Sequence, residues 1–494
     1  VRYLPSSLLD DRDWRFPAAA ARAAGIERDL TPELLLKTEF REPVFLLDPT
    51  DDETITHITD FTGKLYLASC TRPSQTGTGT VHSYDPETHQ WQRSLQADEQ
   101  GIIRLEVCGD RLYIAGHDSR EGRDFGSIYV HDGVTWIRHR TVPRAVHEYG
   151  LAVYRDRIYV SAAITDAPPA GMTMDEAVAK GLAATYGRVV SSGDGGLTWR
   201  EEYREPRPGQ DVGFMAVWRD QLILNAQGDL IIFDGEQWRP LGLNPNCLVV
   251  FDYVDAGDVL ILGTPFGLAF YDGERFRLER GDYPLAHGDQ VRVVVRFGEH
   301  WFVLSSWIPG ATTRHGPGGT GYLRFDITHG TSLLAVPDRE FQEAAHGRWE
   351  RRVWDRVIVI NTPLEDMAVS AHAFRGRLYL GTHPNGRVLV LPVVKEGTLD
   401  SAPRPVPTTG TYHLSWEAAT PAGTSCRLQV RTAATREALE TRPFAGPDGS
   451  EASFFGIPGA SLAVATPGYL QYRVTLRTEN PALTPYLERV TIAP

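Results

Sequence analysis

The chain repeats itself, and the repeat limits the fold more than any other feature. Seven times a turn residue leads into a short apolar run. The copies are Gly63-Lys64-Leu65-Tyr66-Leu67, Asp110-Arg111-Leu112-Tyr113-Ile114, Asp156-Arg157-Ile158-Tyr159-Val160, Asp220-Gln221-Leu222-Ile223-Leu224, Asp258-Val259-Leu260-Ile261-Leu262, Glu299-His300-Trp301-Phe302-Val303 and Gly376-Arg377-Leu378-Tyr379-Leu380. Copies recur at roughly 40 to 50 residues, the length of one four-stranded propeller blade.

A second signal follows several of these runs. Tyr84-Asp85-Pro86 leads to Trp91, His131-Asp132-Gly133 to Trp136, Phe233-Asp234-Gly235 to Trp238, and Tyr271-Asp272-Gly273 to Phe276. Asp-Gly between apolar runs supplies the positive φ angles of a tight hairpin turn, so the aromatic residue opens the outermost strand. The ring is expected to pack between neighbouring blades. A blade has two apolar faces and must stack on a neighbour, so closing a circle leaves no face uncovered.

Inner strands are predicted near residues 54–60, 101–108, 148–154, 211–218, 247–254, 290–296 and 367–374. The last blade shows three strands of its own, and Pro43-Val44-Phe45-Leu46-Leu47 is available as the fourth. The fold class is therefore all-β: a seven-bladed β-propeller, followed by a small C-terminal β-sandwich. The irregular stretch from Asp326 to Glu365 leaves six or eight blades open.

The predicted organisation is a partly helical arm over 1–41, the propeller over 42–396, a linker over 397–409 and the sandwich over 410–494. Helix-compatible stretches in the arm run from Pro17 to Ala24 and from Thr31 to Lys37. Tail runs such as Cys426-Arg427-Leu428-Gln429-Val430 and Leu487-Glu488-Arg489-Val490-Thr491-Ile492 alternate with period two. The end of the tail, Gly468 to Ile492, resembles sandwich modules appended to secreted, glycan-handling bacterial proteins. That resemblance implies a secreted or periplasmic location.

A net charge of −13 argues against nucleic acid and anionic membrane as partners, and no run approaches the length of a membrane span. Four cysteines without CxxC spacing argue against a zinc knuckle or thioredoxin motif. Cys70 and Cys108, at strand ends in adjacent blades, are read as free thiols, with pairing as the alternative. No cofactor is expected. A structural calcium ion at the acidic turn Asp48, Asp51, Asp52 and Glu53 is the one metal considered, against a solvated turn. A monomer is expected.

Two blades carry long insertions, Ile164 to Thr185 in the third and Trp307 to Thr320 in the sixth, and Thr173 to Ala184 is helix-compatible. By strand order both insertions emerge on the end of the ring where the chain enters each inner strand. Long loops in a compact ring point to function. His117 begins one loop on that end, followed by Arg120 and Arg123. His147 and Tyr149 enter the next inner strand, and Tyr186 and Arg188 leave the third-blade insertion. Arg314, His315 and His383, on other loops, are expected to reach the same hollow from across it, with Trp307 at the start of the sixth-blade insertion as a further candidate contact.

Imidazole, phenol and guanidinium groups in one hollow suit β-elimination on a uronic acid. Arginine stabilises the enolate-like state formed as the C5 proton leaves. A neutral His or deprotonated Tyr takes that proton, and Tyr or His returns one to the leaving oxygen. The set resembles that of seven-bladed polysaccharide lyases of the ulvan lyase type. By order along the chain, His117, His147, Tyr186 and Arg188 are the counterparts that the resemblance implies. With the loop placement, the expected catalytic set is His117, His147, Tyr149 and Tyr186, and the expected substrate contacts are Arg120, Arg123, Arg188, Trp307, Arg314, His315 and His383, with an acidic polysaccharide as partner. Each residue has a plainer reading: His147 bonded to backbone, the tyrosines packed, Arg120 and Arg123 solvated.

Ser192-Gly193-Asp194-Gly195-Gly196-Leu197-Thr198-Trp199 matches the Asp-box hairpin of sialidases, which implies an outer turn with a structural role. Only one clear box and no Arg-Ile-Pro sequence are present, which disfavours a sialidase. Gly316 to Gly321 lacks the Lys of a phosphate loop and reads as a turn. Two further functions remain: a glycoside hydrolase using inner-strand carboxylates such as Asp211, Asp252 and Asp289, and a non-catalytic binding propeller.

Overall fold

A computed structural model describes residues 9–10, 22–24, 26–27, 34–71, 78–119, 121–122, 124–226, 229–243, 250–264, 267–279, 290–306, 331–346, 358–362 and 366–494. Seven antiparallel four-stranded blades follow one another. Their inner strands are Thr54–Phe61, Glu99–Cys108, Ala145–Tyr154, Val212–Trp218, Asp252–Asp255, Gln290–Phe297 and Met367–Phe374. Each blade is an open sheet, and the ring is completed by packing blade on blade. Single residue pairs, Gly101 with Cys70 and His117 with His147, also hydrogen-bond the first three blades into one twelve-stranded sheet.

The seventh blade is built from both halves of the chain. Val388–Val390 pairs with Val44–Leu47, as the spare apolar strand near the start of the sequence suggests. The core confirms the circle. Seven apolar clusters each span one seam between neighbouring blades, the seventh-to-first seam included. At that last seam Leu46, Tyr379 and Val390 meet Ile55, Leu65 and Leu67. Leu65 is fully buried there, and truncating it to Ala costs about 2–5 kcal/mol.

The turn chemistry explains why the repeat is so regular. Asp234 Oδ1 accepts from the backbone N–H groups of Glu236 and Gln237, both at 2.9 Å, and Gly235 takes φ 101°. Asp272 does the same with Glu274 at 2.9 Å and Arg275 at 2.7 Å. These bonds hold both carboxylates below their usual range. The aromatic residue after the turn then packs on the preceding blade. Trp136 Nε1 donates to Ser94 Oγ at 2.9 Å, and Trp238 lies 5.4 Å from the Tyr203 ring.

Two antiparallel sheets make the C-terminal sandwich around one apolar core. One contains Gly410–Ala419, Ala460–Val464 and Tyr486–Ala493; the other contains Glu396–Asp400, Arg404–Val406, Thr424–Ala433 and Gly468–Thr478. The expected linker over 397–409 is thus largely strand. The N-terminal arm differs too. Where described it is extended, not helical: Leu9–Asp10 pairs with one sandwich sheet and Arg22–Ala24 with the other. Leu35–Leu36 is a strand where the sequence suggested a second helix. Strand pairing with a ready sheet edge outweighs a weak local helix preference.

The arm then passes from the sandwich to the ring. Leu36 N–H donates to Thr484 Oγ1 at 2.9 Å, and Glu39 N–H to the Pro392 carbonyl at 2.8 Å. Buried Arg377 ties the same junction, donating to the carbonyls of Leu391 at 2.7 Å and Ala482 at 3.3 Å.

Cys70, Cys108 and Cys426 are free thiols. Cys70 sits opposite Gly101, at the far end of a strand that ends in Cys108, so the two cannot bridge. Cys247 lies outside the described residues. No helix among the described residues is long and apolar enough to cross a membrane.

Candidate functional site

The strand bridge between the second and third blades puts His117 directly opposite His147. Their rings stack with centroids 4.8 Å apart and planes 28° apart. Tyr149 joins them, its ring centroid 5.7 Å from His117 and 5.9 Å from His147. The local backbone explains the gathering. Register slips between Ala145 and His147, and again between Glu148 and Gly150. Each irregularity bends the strand and re-aims side chains.

Glu148, between the two, turns into the seam and is buried. A Cβ at Gly126 would lie 1.6 Å from Glu148 Oε1, so only glycine allows that carboxyl to enter. Burial, reinforced by the nearby charge of Glu99, pushes Glu148 well above the usual carboxylate range. Glu148 Oε1 has no hydrogen-bond partner. Glu99 is better served, accepting from Tyr129 Oη and, at 3.2 Å, from Arg138 Nη2.

Two carboxylates face the rings. Asp118 Oδ1 lies 2.7 Å from His147 Nδ1, off the line of a ring N–H hydrogen bond. Asp211, at the entrance of the fourth blade, accepts a hydrogen bond from Tyr149. It is exposed at the rim, yet loss of water around its carboxyl raises its pKa, while Tyr149 and His147 pull it back. His117 is drawn down to about 4, chiefly by loss of water and then by His147. Its Nδ1 is buried without a hydrogen-bond partner. Three blades therefore contribute to one side-chain cluster: His117 and Asp118 from the second, His147 and Tyr149 from the third, and Asp211 from the fourth.

Other expected members are placed elsewhere. Arg188 is buried, with Nη2 donating to Asp166 and Nη1 to Glu201 Oε2 at 2.6 Å. Tyr186 carries the Arg204 guanidinium 3.8 Å above its ring, and Arg204 also reaches Asp166 at 3.2 Å. These five residues form an ion-pair and cation–π cluster on the outer side of the third blade. His383 stands at the seam of the seventh and first blades, its Nδ1 2.7 Å from Thr54 Oγ1 and its Nε2 3.6 Å from Glu53. Among the described residues no contact joins Tyr186, Arg188 or His383 to the His117–His147 pair. Arg120, Arg123, Trp307, Arg314 and His315 lie outside the described residues.

The insertion of the third blade forms a helix over Met174–Ala179, about half of the stretch expected from Thr173 to Ala184, capped by Thr173 and Glu176. The turn at Ser192–Trp199 is closed by its own aspartate and tied to the preceding blade. Asp194 Oδ1 accepts from the N–H groups of Leu197 at 3.1 Å and Thr198 at 2.9 Å, and Trp199 Nε1 reaches Thr141 at 2.9 Å. Near His383, a recess of about 740 Å³ is lined by Asp48, Asp51, Asp52, Glu53, Trp91 and Arg387, among others. Its acidic charge is partly spent. Asp52 accepts from the hydroxyls of Ser69 and Thr80, and Asp48 lies 3.9 Å from Arg387.

A second polar cluster fills the ring axis. Arg104 of the second blade reaches across to Asp252 of the fifth at 2.9 Å and holds Glu106 at 2.5 Å. Its guanidinium lies 4.4 Å above the Tyr253 ring, and Tyr253 Oη donates to Glu106 at 3.3 Å. Sequence reasoning singled out Asp252 but not Arg104 or Glu106. Nothing local marks them, because their partners come from the far side of the ring. Asp118 was also missed, although its position directly after His117 was a usable signal. Asp289 lies outside the described residues.

No family model matches the chain, and no curated protein matches it. Solved structures do. The computationally designed Ika8 protein aligns with TM-score 0.42 at 10% identity, over 72% of this chain and 100% of its own. The extracellular domain of the putative hybrid two component system BT4673 from B. thetaiotaomicron aligns with TM-score 0.44 at 10% identity, over 76% of this chain and 43% of its own. The β-propeller domain of the Trilobed protease from Pyrococcus furiosus aligns with TM-score 0.35 at 12% identity, over 55% of this chain and 75% of its own.

Proposed function

We propose that the cluster of His117, His147 and Tyr149 is the active site of a lyase that cleaves an acidic, uronate-containing glycan by β-elimination. One observation carries the reading. Two imidazoles and a phenol from adjacent blades meet on the loop-rich end, with the phenol hydrogen-bonded to Asp211 of a third blade.

Tyr149 is the group that moves the proton. With its own proton passed to Asp211, the phenolate oxygen takes the C5 proton of the uronate. The electron pair of that bond forms the C4–C5 double bond as the C4–O4 bond breaks. Tyr149 then hands the proton to the departing O4, and Asp211 returns its proton to the phenolate. Positioned acid–base groups of this kind supply about 10²–10⁴-fold each. The imidazole pair, beside the phenol, meets the sugar carboxylate and fixes its orientation.

The hydrolase alternative draws less support. Glu106 and Asp252 face one another across the axis, but both are bound by Arg104, which leaves no carboxylate there free to activate water. Incubation with a panel of uronate polysaccharides tests the reading. Unsaturated product absorbing in the ultraviolet is expected from the wild-type chain and is lost in His147→Ala, with the melting temperature within a few degrees. Reducing ends without that absorbance would establish hydrolysis instead. Glycan binding with no cleavage across the panel would establish a binding propeller.

A further inference from the structure

We infer that His117, Asp118 and His147 form a site for one divalent first-row transition-metal cation of the zinc class. Its remaining coordination positions take the carboxylate of the glycan. The role assigned to the ion rests on the lyase reading; the site itself rests on geometry alone.

The three side chains offer two imidazole nitrogens and one carboxylate oxygen, all within 4.8 Å of one another. Donors around a tetrahedral zinc ion, at about 2.0–2.2 Å from it, stand roughly 3.3 Å apart. Side-chain rotations on the order of 1 Å would therefore close the site. The backbone is already set, because the two histidines are a strand-paired couple whose rings stack. His117 Nδ1 is buried without a hydrogen-bond partner, a state that costs about 1–3 kcal/mol unless some ligand answers it.

Charge argues in the same direction. A uronate carboxylate entering beside Asp118 meets a negative group at 2.7 Å from one imidazole. The guanidinium that should have met it, Arg188, is held by Asp166 and Glu201. A dication between Asp118 and the rings reverses the local charge and acidifies the C5 proton by drawing electron density from the carboxylate. Two imidazoles with one carboxylate favour zinc, iron, nickel or cobalt over calcium or magnesium, which take oxygen sets. Three protein ligands also leave positions open for substrate, as catalytic zinc sites do.

The experiment uses the full chain, purified without a histidine tag, stripped with chelator and titrated with zinc under calorimetry and elemental analysis. One zinc per chain is expected. Asp118→Asn and His117→Gln should each weaken binding on the order of 100-fold, while His383→Gln binds like wild type. Circular dichroism confirms that each variant is folded, and Asp118, partly exposed, keeps one informative variant if His117→Gln fails. Wild-type chain that takes up no zinc, or variants that bind it unchanged, would overturn the site. Stoichiometric zinc with no unsaturated product would keep the site and end the lyase reading. Full lyase activity after exhaustive chelation would overturn the role assigned to the ion and keep the lyase.

Discussion

The axis of the ring and its loop-rich rim both gather charge, and they treat it in opposite ways. On the axis, Arg104 is matched by two carboxylates and a ring face, and Asp252 accepts a further backbone N–H from Val294 at 3.3 Å. At the rim, His117 keeps a buried nitrogen without a hydrogen-bond partner, and Glu148 keeps an oxygen in the same state. A network whose members satisfy one another holds a structure together. One that leaves donors and acceptors waiting is where a ligand gains most, since binding relieves a cost already present.

That contrast breaks most visibly at Tyr149. Tyr149→Phe removes the proton carrier while keeping the ring against His117 and His147. Product formation should fall by about 10²–10⁴-fold, with the melting temperature little changed, in a continuous ultraviolet assay. Retention of full turnover would move the chemistry away from the rim.

The axis should answer in the other currency. Arg104→Met leaves Glu106 and Asp252 facing each other without a cation, and breaking a buried ion pair in this way costs about 3–5 kcal/mol. Urea unfolding measures that loss, and the specific activity of the folded fraction should be unchanged. An active-site phenotype with unchanged stability would mean that the axis, not the rim, meets substrate.

The smallest effect concerns an exposed seam. His372 Nε2 lies 2.8 Å from Asp60 Oδ1 and holds that carboxyl below its usual range, with burial opposing. A carboxyl whose pKa is lower folded than unfolded contributes stability above its unfolded value, near pH 4, and loses it as pH falls through the folded value. The wild-type melting temperature should therefore drop more steeply below about pH 4 than that of Asp60→Asn. Parallel acid profiles would remove this contact from the seventh-to-first seam.

The ring was legible because its signals are local. An Asp such as Asp234 caps its own turn two and three residues on, and the apolar run after each turn residue is continuous in sequence. Blade order was enough to bring His117 beside His147. It failed for Arg188, since nothing in the sequence says that Asp166 and Glu201 neutralise it within its own blade. Arg104 and Asp252 were invisible as a pair for the opposite reason: they are far apart along the chain and meet only across a closed circle. The arm misled because strands as short as Leu9–Asp10 and Arg22–Ala24 carry no periodicity, and a sheet edge decides their conformation.

The seventh blade sets a schedule for synthesis. Val44–Leu47 leaves the ribosome before its partner Val388–Val390, which follows about 340 residues later, on the order of 20–70 s at roughly 5–20 residues per second. Throughout that interval an apolar edge with bare backbone donors stays available to any passing strand. A cell making this chain must shield that edge until the circle shuts, so yield during expression should depend on chaperone supply more than on the stability of the finished protein.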